Sequence, residues 1–366
     1  MNLDIYDKEN LLVIAREEKI DFVLSDQSDF AVFTVSYLAS NLQLPGNSLL
    51  AAEIYTNKIS FRKLCDELSI PVPKFVEATI ENLSNELLRL KLPIVVKPSD
   101  SQGSRGIHKV LCLEDVESKI NDAIKFSKNK KIIAEEYFEG REVVCEGFVH
   151  NGSYENIAFG DRKYFKLNNL FIPSQTIFPS TISNSFKEEI ISYEKKIAKK
   201  VNPNFGIIHS EYLINENTSE VRIVESALRG GGVYIASDII PHSTGVDLSE
   251  VLLDSALNYP VKVNIKRNLL SQKVCAYICF YLPEGVVRQI YGLELLFQMP
   301  EIIKVDLDNI KVGTKIPKFI HKGLRYGPLL VLANSHEELE NIFSRIRKSL
   351  SIEVETMCGV ENIIWE

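Results

Sequence analysis

The chain has 366 residues, 45% of them apolar and 25% charged, with 42 basic against 49 acidic side chains and a net charge of −7. That balance argues against a surface made for nucleic acid or an anionic membrane, and no run approaches the ~18 uninterrupted apolar residues of a bilayer span. Six scattered cysteines without zinc spacing, and an acidic start (Met1-Asn2-Leu3-Asp4) with no apolar signal stretch, lead to the expectation of a reduced, cytoplasmic protein.

In chain order, residues 8–18 place Leu11, Leu12, Ile14 and Ala15 on one stripe, the pattern of an amphipathic helix. The apolar run Phe22-Val23-Leu24 is expected to be a buried strand, followed by a helix over 31–41, so that the chain opens as an α/β unit. Leu44-Pro45-Gly46-Asn47 punctuates it, and a helix over 58–68 runs into Ile70-Pro71-Val72-Pro73, which cannot remain helical. From about residue 90 strands dominate: 92–98, 107–113, 131–135 and 142–150, the last ending in Asn151-Gly152, a strong hairpin signal. Helices are expected over 186–201 (Ser185 with Glu188 as a capping box) and 248–257 (Asp247 with Glu250), with a hairpin over 206–225. Past Pro260 come a strand over 274–281, a short helix over 290–297, a strand over 329–333 and a last helix capped at Ser335. No repeat or long linker interrupts this order, so the domains are expected to pack together.

Four segments carry candidate chemistry. The loop Ser99-Asp100-Ser101-Gln102-Gly103-Ser104-Arg105-Gly106 follows a strand ending in Lys97, and small residues with free N–H groups beside a lysine suit a polyphosphate. The alternative is a polar hairpin loop with a solvated lysine. Glu135-Glu136-Tyr137-Phe138 closes an apolar strand in a form that suits a hinge under a purine, with Glu142 available to ribose hydroxyls, or else a strand end with solvated acids. In 206–225, Ile207, His209, Glu211 and Leu213 share one strand face, and Val221, Ile223 and Glu225 share a face of the return strand. Pairing Leu213 with Ile223 sets Glu211 opposite Glu225, two carboxylates that repel unless a cation lies between them. Mg²⁺ suits such a site; a slipped register would keep the acids apart. Finally, Arg229 precedes three glycines, which places a guanidinium beside open backbone.

In their order and spacing these residues resemble the ATP-grasp superfamily over roughly residues 5–350. The resemblance is carried by Asn57-Lys58, Ile70-Pro71-Val72-Pro73, Ile94-Val95-Val96-Lys97-Pro98 with its loop, Glu135 through Glu142, Ser210-Glu211-Tyr212 and Glu225 through Gly232. It implies an α/β (α+β) fold in which two antiparallel-sheet subdomains clasp ATP. A shortened Rossmann-like domain (1–48) would precede the grasp (49–263, lid about 73–150), and a small α+β domain (264–366) would follow. It further implies that Lys58 and Lys97 hold ATP phosphates under a flap with Ser99, Ser101, Gly103, Ser104 and Gly106. Glu135, Glu136, Tyr137 and Phe138 would form the adenine hinge, Glu142 would take the ribose, Glu211 and Glu225 would bind Mg²⁺ or Mn²⁺, and Arg229 would steady the transferring phosphoryl group.

Many relatives carry Asn where this chain has Ala227, and Glu-Ser-Ala-Leu-Arg resembles instead the branch of bacterial L-amino acid ligases. The implied activity is ATP-dependent joining of a small-molecule carboxylate to an amine through an acyl phosphate. The alternatives are carboxylation or carbamoyl-phosphate chemistry, or an inactive nucleotide-binding protein. Against the family pattern the chain starts midway through its first domain. This leads to the expectation that the 22–24 strand lies near an edge, which a homodimer would cover.

Overall fold

A computed structural model describes residues 3–79, 86–87, 89–101, 103–167, 170–259 and 273–366. Gln102 of the expected flap and the expected boundary at 263/264 lie outside the described residues. Helices α1 (Lys8–Glu17) and α2 (Asp29–Leu42) come first, with Asp7 capping α1 by accepting from the Asn10 N–H. The run Phe22-Val23-Leu24 is not a strand: no ladder reaches it. A strand exists only through pairing, and this run instead lies half-buried, with Phe22 and Leu24 against a core cluster of the large sheet. It therefore offers no ladder edge, and the expected dimer through that edge loses its premise.

Helices α3 (Leu49–Thr56) and α4 (Lys58–Glu67) follow, separated by Asn57, whose Oδ1 accepts from the N–H groups of Ile59 and Ser60. Then β1 (Phe75–Ala78), β2 (Ile94–Pro98), β3 (His108–Val110), α5 (Val116–Ala123) and β4 (Ile132–Glu136) build a four-stranded antiparallel lid of order β1-β4-β2-β3. Val76, Val96, Ile120 and Ile132 fill its own small core.

Strands β5 (Arg141–His150), β6 (Ser153–Tyr164) and β7 (Pro173–Phe178) lead to α6 (Asn184–Val201), β8 (Phe205–Asn215), β9 (Glu220–Ala227), α7 (Ile240–Thr244) and α8 (Leu248–Ala256). Beyond residue 273 come β10 (Val274–Phe280), β11 (Gly285–Tyr291), α9 (Leu293–Phe297), β12 (Ile302–Val305), β13 (Lys315–Ile316), β14 (Tyr326–Ala333), α10 (His336–Ser349), β15 (Ser351–Thr356) and β16 (Gly359–Glu361). An eight-stranded sheet of order β12-β14-β10-β7-β6-β5-β8-β9 joins both groups, and β13-β11-β15-β16 form a third sheet. β5, placed by the sequence in the lid, is thus central to the large sheet.

Asn151 and Gly152 take φ of 48° and 69°, the two left-handed positions that join β5 to β6. The cap of α6 is Ser183 rather than Ser185, and the expected box does not form. Asp247 and Ser335 cap α8 and α10 as expected, accepting from Glu250 N–H and Glu338 N–H respectively. The helix expected over 290–297 begins only at Leu293, because Ile290 and Tyr291 pair with Ile352 and Ser351. No helix among the described residues is long and apolar enough to cross a membrane.

Candidate active site

The β8–β9 hairpin decides where the acids point. Tyr212 pairs with Ile223 and Leu213 with Arg222, one residue away from the register expected, while Glu211 still pairs with Glu225. The difference is a bulge that accommodates Val224 as an extra residue. Val221 and Ile223 therefore enter the core with Tyr212 and Ile214, and Glu225, expected on their face, turns to the other side opposite Glu211. The bulge also leaves the Val224 carbonyl free of the ladder to accept from Arg62 Nη2 at 2.5 Å.

Both acids line a cleft of about 350 Å³ between the lid and the large sheet. Lys58, Lys97, Ser101, Gly103, Ser104, Glu142, Arg229 and residues 135–138 line it too. Two expected flap residues do not. Ser99 is fully buried and its hydroxyl donates to Asn129 Oδ1 at 2.9 Å, so it anchors the loop. Gly106 is a packed turn position: its φ is +72°, and a Cβ there would meet Phe126 at 2.8 Å.

The charges are arranged as opposed pairs. Lys97 and Arg62 (Nε, 2.8 Å) both bind the Glu135 carboxylate, and all three side chains are buried. Glu135, expected at the base edge, is thus held instead by Arg62 and Lys97. Burial resists ionisation of Glu135, but Arg62 and Lys97 outweigh it and hold the carboxyl below its ordinary range. Lys58 Nζ bridges the Ser101 carbonyl at 2.8 Å and Glu225 at 3.1 Å.

Arg162 donates to Glu142 at 2.9 Å and also to Glu211. Burial and then the Glu211 charge push Glu142 up to about 7, against the pull of Arg162 and of the Tyr164 hydroxyl that donates to it. For Glu211 burial acts in the same sense, but Arg162 and His209 prevail and hold it well below the carboxylate range. His209 is held in turn by buried Glu146. Arg229 makes a two-pronged pair with Asp29 at the start of α2, at 2.6 and 3.0 Å. Phe171 stacks near Tyr137 with ring centroids 6.4 Å apart.

Among the described residues no group of three or more His, Cys, Asp or Glu side chains is arranged to hold a metal ion. Of the acids in the lining, Glu211 and Glu225 are the pair set directly opposite each other, a donor set that suits a hard cation completed by phosphate oxygens and water.

Arg62, Arg162 and Asp29 escaped the sequence reading. Arg62 lies four residues after Lys58 on a helix, hence on the same face. Arg162 is found to within one residue by counting outward from Asn151-Gly152, since a bulge at Glu146/Gly147 supplies the last step to Glu142↔Arg162. Nothing in the sequence marks Asp29.

Residues 90–237 match the family model of the ATP-grasp domain. The chain carries an ATP-grasp domain. Outside that segment the likeness extends further. The alanine–anticapsin ligase of Bacillus amyloliquefaciens is 23% identical over 344 residues, covering 86% of this chain and 68% of that protein. The carbamoyl phosphate synthase large chain of Thermoanaerobacter sp. (strain X514) is 26% identical over 263 residues, 71% of this chain but 23% of that protein, so this chain spans about a quarter of that relative's length. In fold it is similar to the L-amino acid ligase of Bacillus licheniformis, with a TM-score of 0.83 at 21% identity, covering 97% of this chain and 87% of that one.

Proposed function

We propose that the protein is an ATP-dependent carboxylate–amine ligase that forms an acyl phosphate and releases ADP and phosphate. The observation that carries this reading is the pair Glu211↔Glu225, set opposite each other in a cleft that Lys58, Lys97, Gly103 and Ser104 also line. Phosphoryl transfer asks a protein chiefly for positioning and charge neutralisation. Lys97 and Lys58 neutralise the phosphates, with Gly103 and Ser104 closing above them; Glu136, Tyr137 and Phe138, with Phe171, hold the base. Glu211 and Glu225 would hold magnesium or manganese, which would supply neutralisation of phosphate charge during transfer.

A substrate carboxylate oxygen attacks the γ-phosphorus and ADP leaves. The amine nitrogen then attacks the acyl carbon, phosphate departs, and the amine proton is lost to solvent. Arg229, steered by Asp29, faces the oxygens of the transferring group. His209 shares its strand face with Glu211 but takes no part as a base, because it is buried and its two ring nitrogens are engaged by Glu146 and Arg162. Similarity to the two amino acid ligases supports amino acids as the substrates, and six free thiols suit a reducing cytoplasm.

MgATP should raise the melting temperature, since a ligand that binds only the folded state stabilises it by mass action. Lys97→Ala should abolish the rise, and equal rises in both proteins would remove Lys97 from the site. Screening amino acid pairs for phosphate release then identifies substrates. AMP and pyrophosphate as products would refute the acyl phosphate, and nucleotide binding with no turnover on any pair would favour an inactive binder.

A further inference from the structure

The loop ahead of β14 reaches back over the cleft. Its Arg325 is anchored to the large sheet, donating to the Pro173 carbonyl at 2.7 Å and lying 5.6 Å from the Tyr277 ring centre. Three residues earlier Lys322 enters the cleft lining, the one contribution from beyond residue 273. A Cβ added to Gly103 would meet Lys322 Cε at 3.2 Å, so the lysine stem lies against the tip of the flap.

Every other lysine or arginine of the lining has an acidic partner: Lys58 has Glu225, Lys97 has Glu135, Arg141 has Asp161, Arg162 has Glu142 and Glu211, Lys163 has Glu340 and Arg229 has Asp29. Among the described residues Lys322 alone of these has no ion pair. The charged groups that act on it are the guanidinium groups of Arg325, Arg229 and Arg162 and the Glu211 carboxylate. That field is positive on balance and favours an incoming anion.

We propose that Lys322 binds an anionic oxygen group of a reactant held under the flap, either the terminal phosphate of ATP or the carboxylate of the amine substrate. Both present the same chemistry to an ammonium, a compact charge on a flexible stem that needs no fixed geometry. The inference rests on the ligase reading and assigns to that site a cation supplied from outside the grasp.

Calorimetry with MgATP and MgADP on wild type, Lys322→Gln and Lys322→Arg separates the two sources. If the terminal phosphate is bound, Lys322→Gln weakens MgATP by about tenfold or more, the scale of one charge-assisted hydrogen bond. MgADP is then unaffected and Lys322→Arg largely restores MgATP. If the carboxylate is bound, both nucleotides are unchanged. The KM for the amine substrate then rises about tenfold, with no rise for its carboxamide. Lys322→Gln indistinguishable from wild type in all these measurements would overturn the proposal and leave the ligase reading intact. Failure of wild type to bind MgATP would overturn both.

Discussion

Glu135→Gln tests whether the cation pair under the flap is held by one buried carboxylate. Arg62, Lys97 and Glu135 are only 1%, 6% and 2% exposed, so neither cation can turn to water when the charge of Glu135 is removed. Breaking a buried pair by neutralising one partner costs about 3–5 kcal/mol, because an uncompensated charge remains inside. At about 2–4 °C per kcal/mol for chains of 150–250 residues, the melting temperature near pH 7 should fall on the order of 10 °C. A polyphosphate is the natural replacement anion: at a hundred times its Kd a ligand adds about 2.7 kcal/mol. The rise produced by MgATP should therefore be at least as large in the variant as in wild type.

The pH dependence follows from the depressed carboxyl of Glu135, which burial opposes and Arg62 and Lys97 produce. A group with a lowered folded-state pKa contributes stability above its unfolded value, about 4.3, and loses it as pH falls through the folded value. The gap between wild type and Glu135→Gln should be full at pH 7 and close in strong acid. Urea unfolding across that range measures it. A ligand-free variant as stable as wild type at pH 7 would refute the argument.

Glu225→Gln should lose most phosphate release. The facing acids alone would suggest a gain in ligand-free stability, but Lys58 lies 3.1 Å from Glu225 and the acid is about a third exposed (34%). The expected change is therefore under ~1 kcal/mol in either direction; full turnover in the variant would take Glu225 out of the metal site. Glu194 provides a pH test away from the cleft. Burial raises its carboxyl pKa, against the hydroxyls of Ser210 and Tyr212, the latter bonded at 2.6 Å. A raised group contributes stability below its unfolded value of about 4.3 and loses it as pH rises through the folded value. Glu194→Gln, which still accepts from Tyr212, should match wild type in acid and exceed it at pH 8 in urea unfolding; the reverse order would show that the buried charge is favourable.

What was legible in the sequence was local. Asn151-Gly152 announces its hairpin because few residue pairs tolerate two positive φ values, and Ser335 announces α10 because its hydroxyl meets Glu338 N–H. The acids Glu211 and Glu225 were found opposite each other although the register assumed was off by one, since the bulge at Val224 restores the pairing. Bulges leave no periodic trace, so the facing of Glu225 relative to Ile223 was not readable. The 22–24 run has the composition of a strand, but strand formation depends on a partner elsewhere in the chain. Ser99 and Gly106 have the small side chains of a phosphate loop, yet packing against Asn129 and Phe126 gives them to the scaffold. Arg62 and Arg162 are ordinary charged residues until tertiary structure buries them beside acids.

The eight-stranded sheet has a consequence for dissecting this protein. Tyr277 pairs with Thr176, and the Thr176 hydroxyl bonds the Tyr277 hydroxyl at 2.9 Å, so β10 is laced into β7 by backbone and side chain alike. Ending the chain before residue 273 would strip the neighbouring strand from Gln175 through Phe178 of β7, a strand buried at every position from Pro173 to Phe178. It would leave a bare, unpaired strand edge of the kind that recruits other chains into aggregates. The last quarter of the polypeptide is thus a structural complement to the large sheet rather than an appendage. A recombinant grasp fragment should be insoluble when made alone and recover when the segment from 273 onward is supplied in trans.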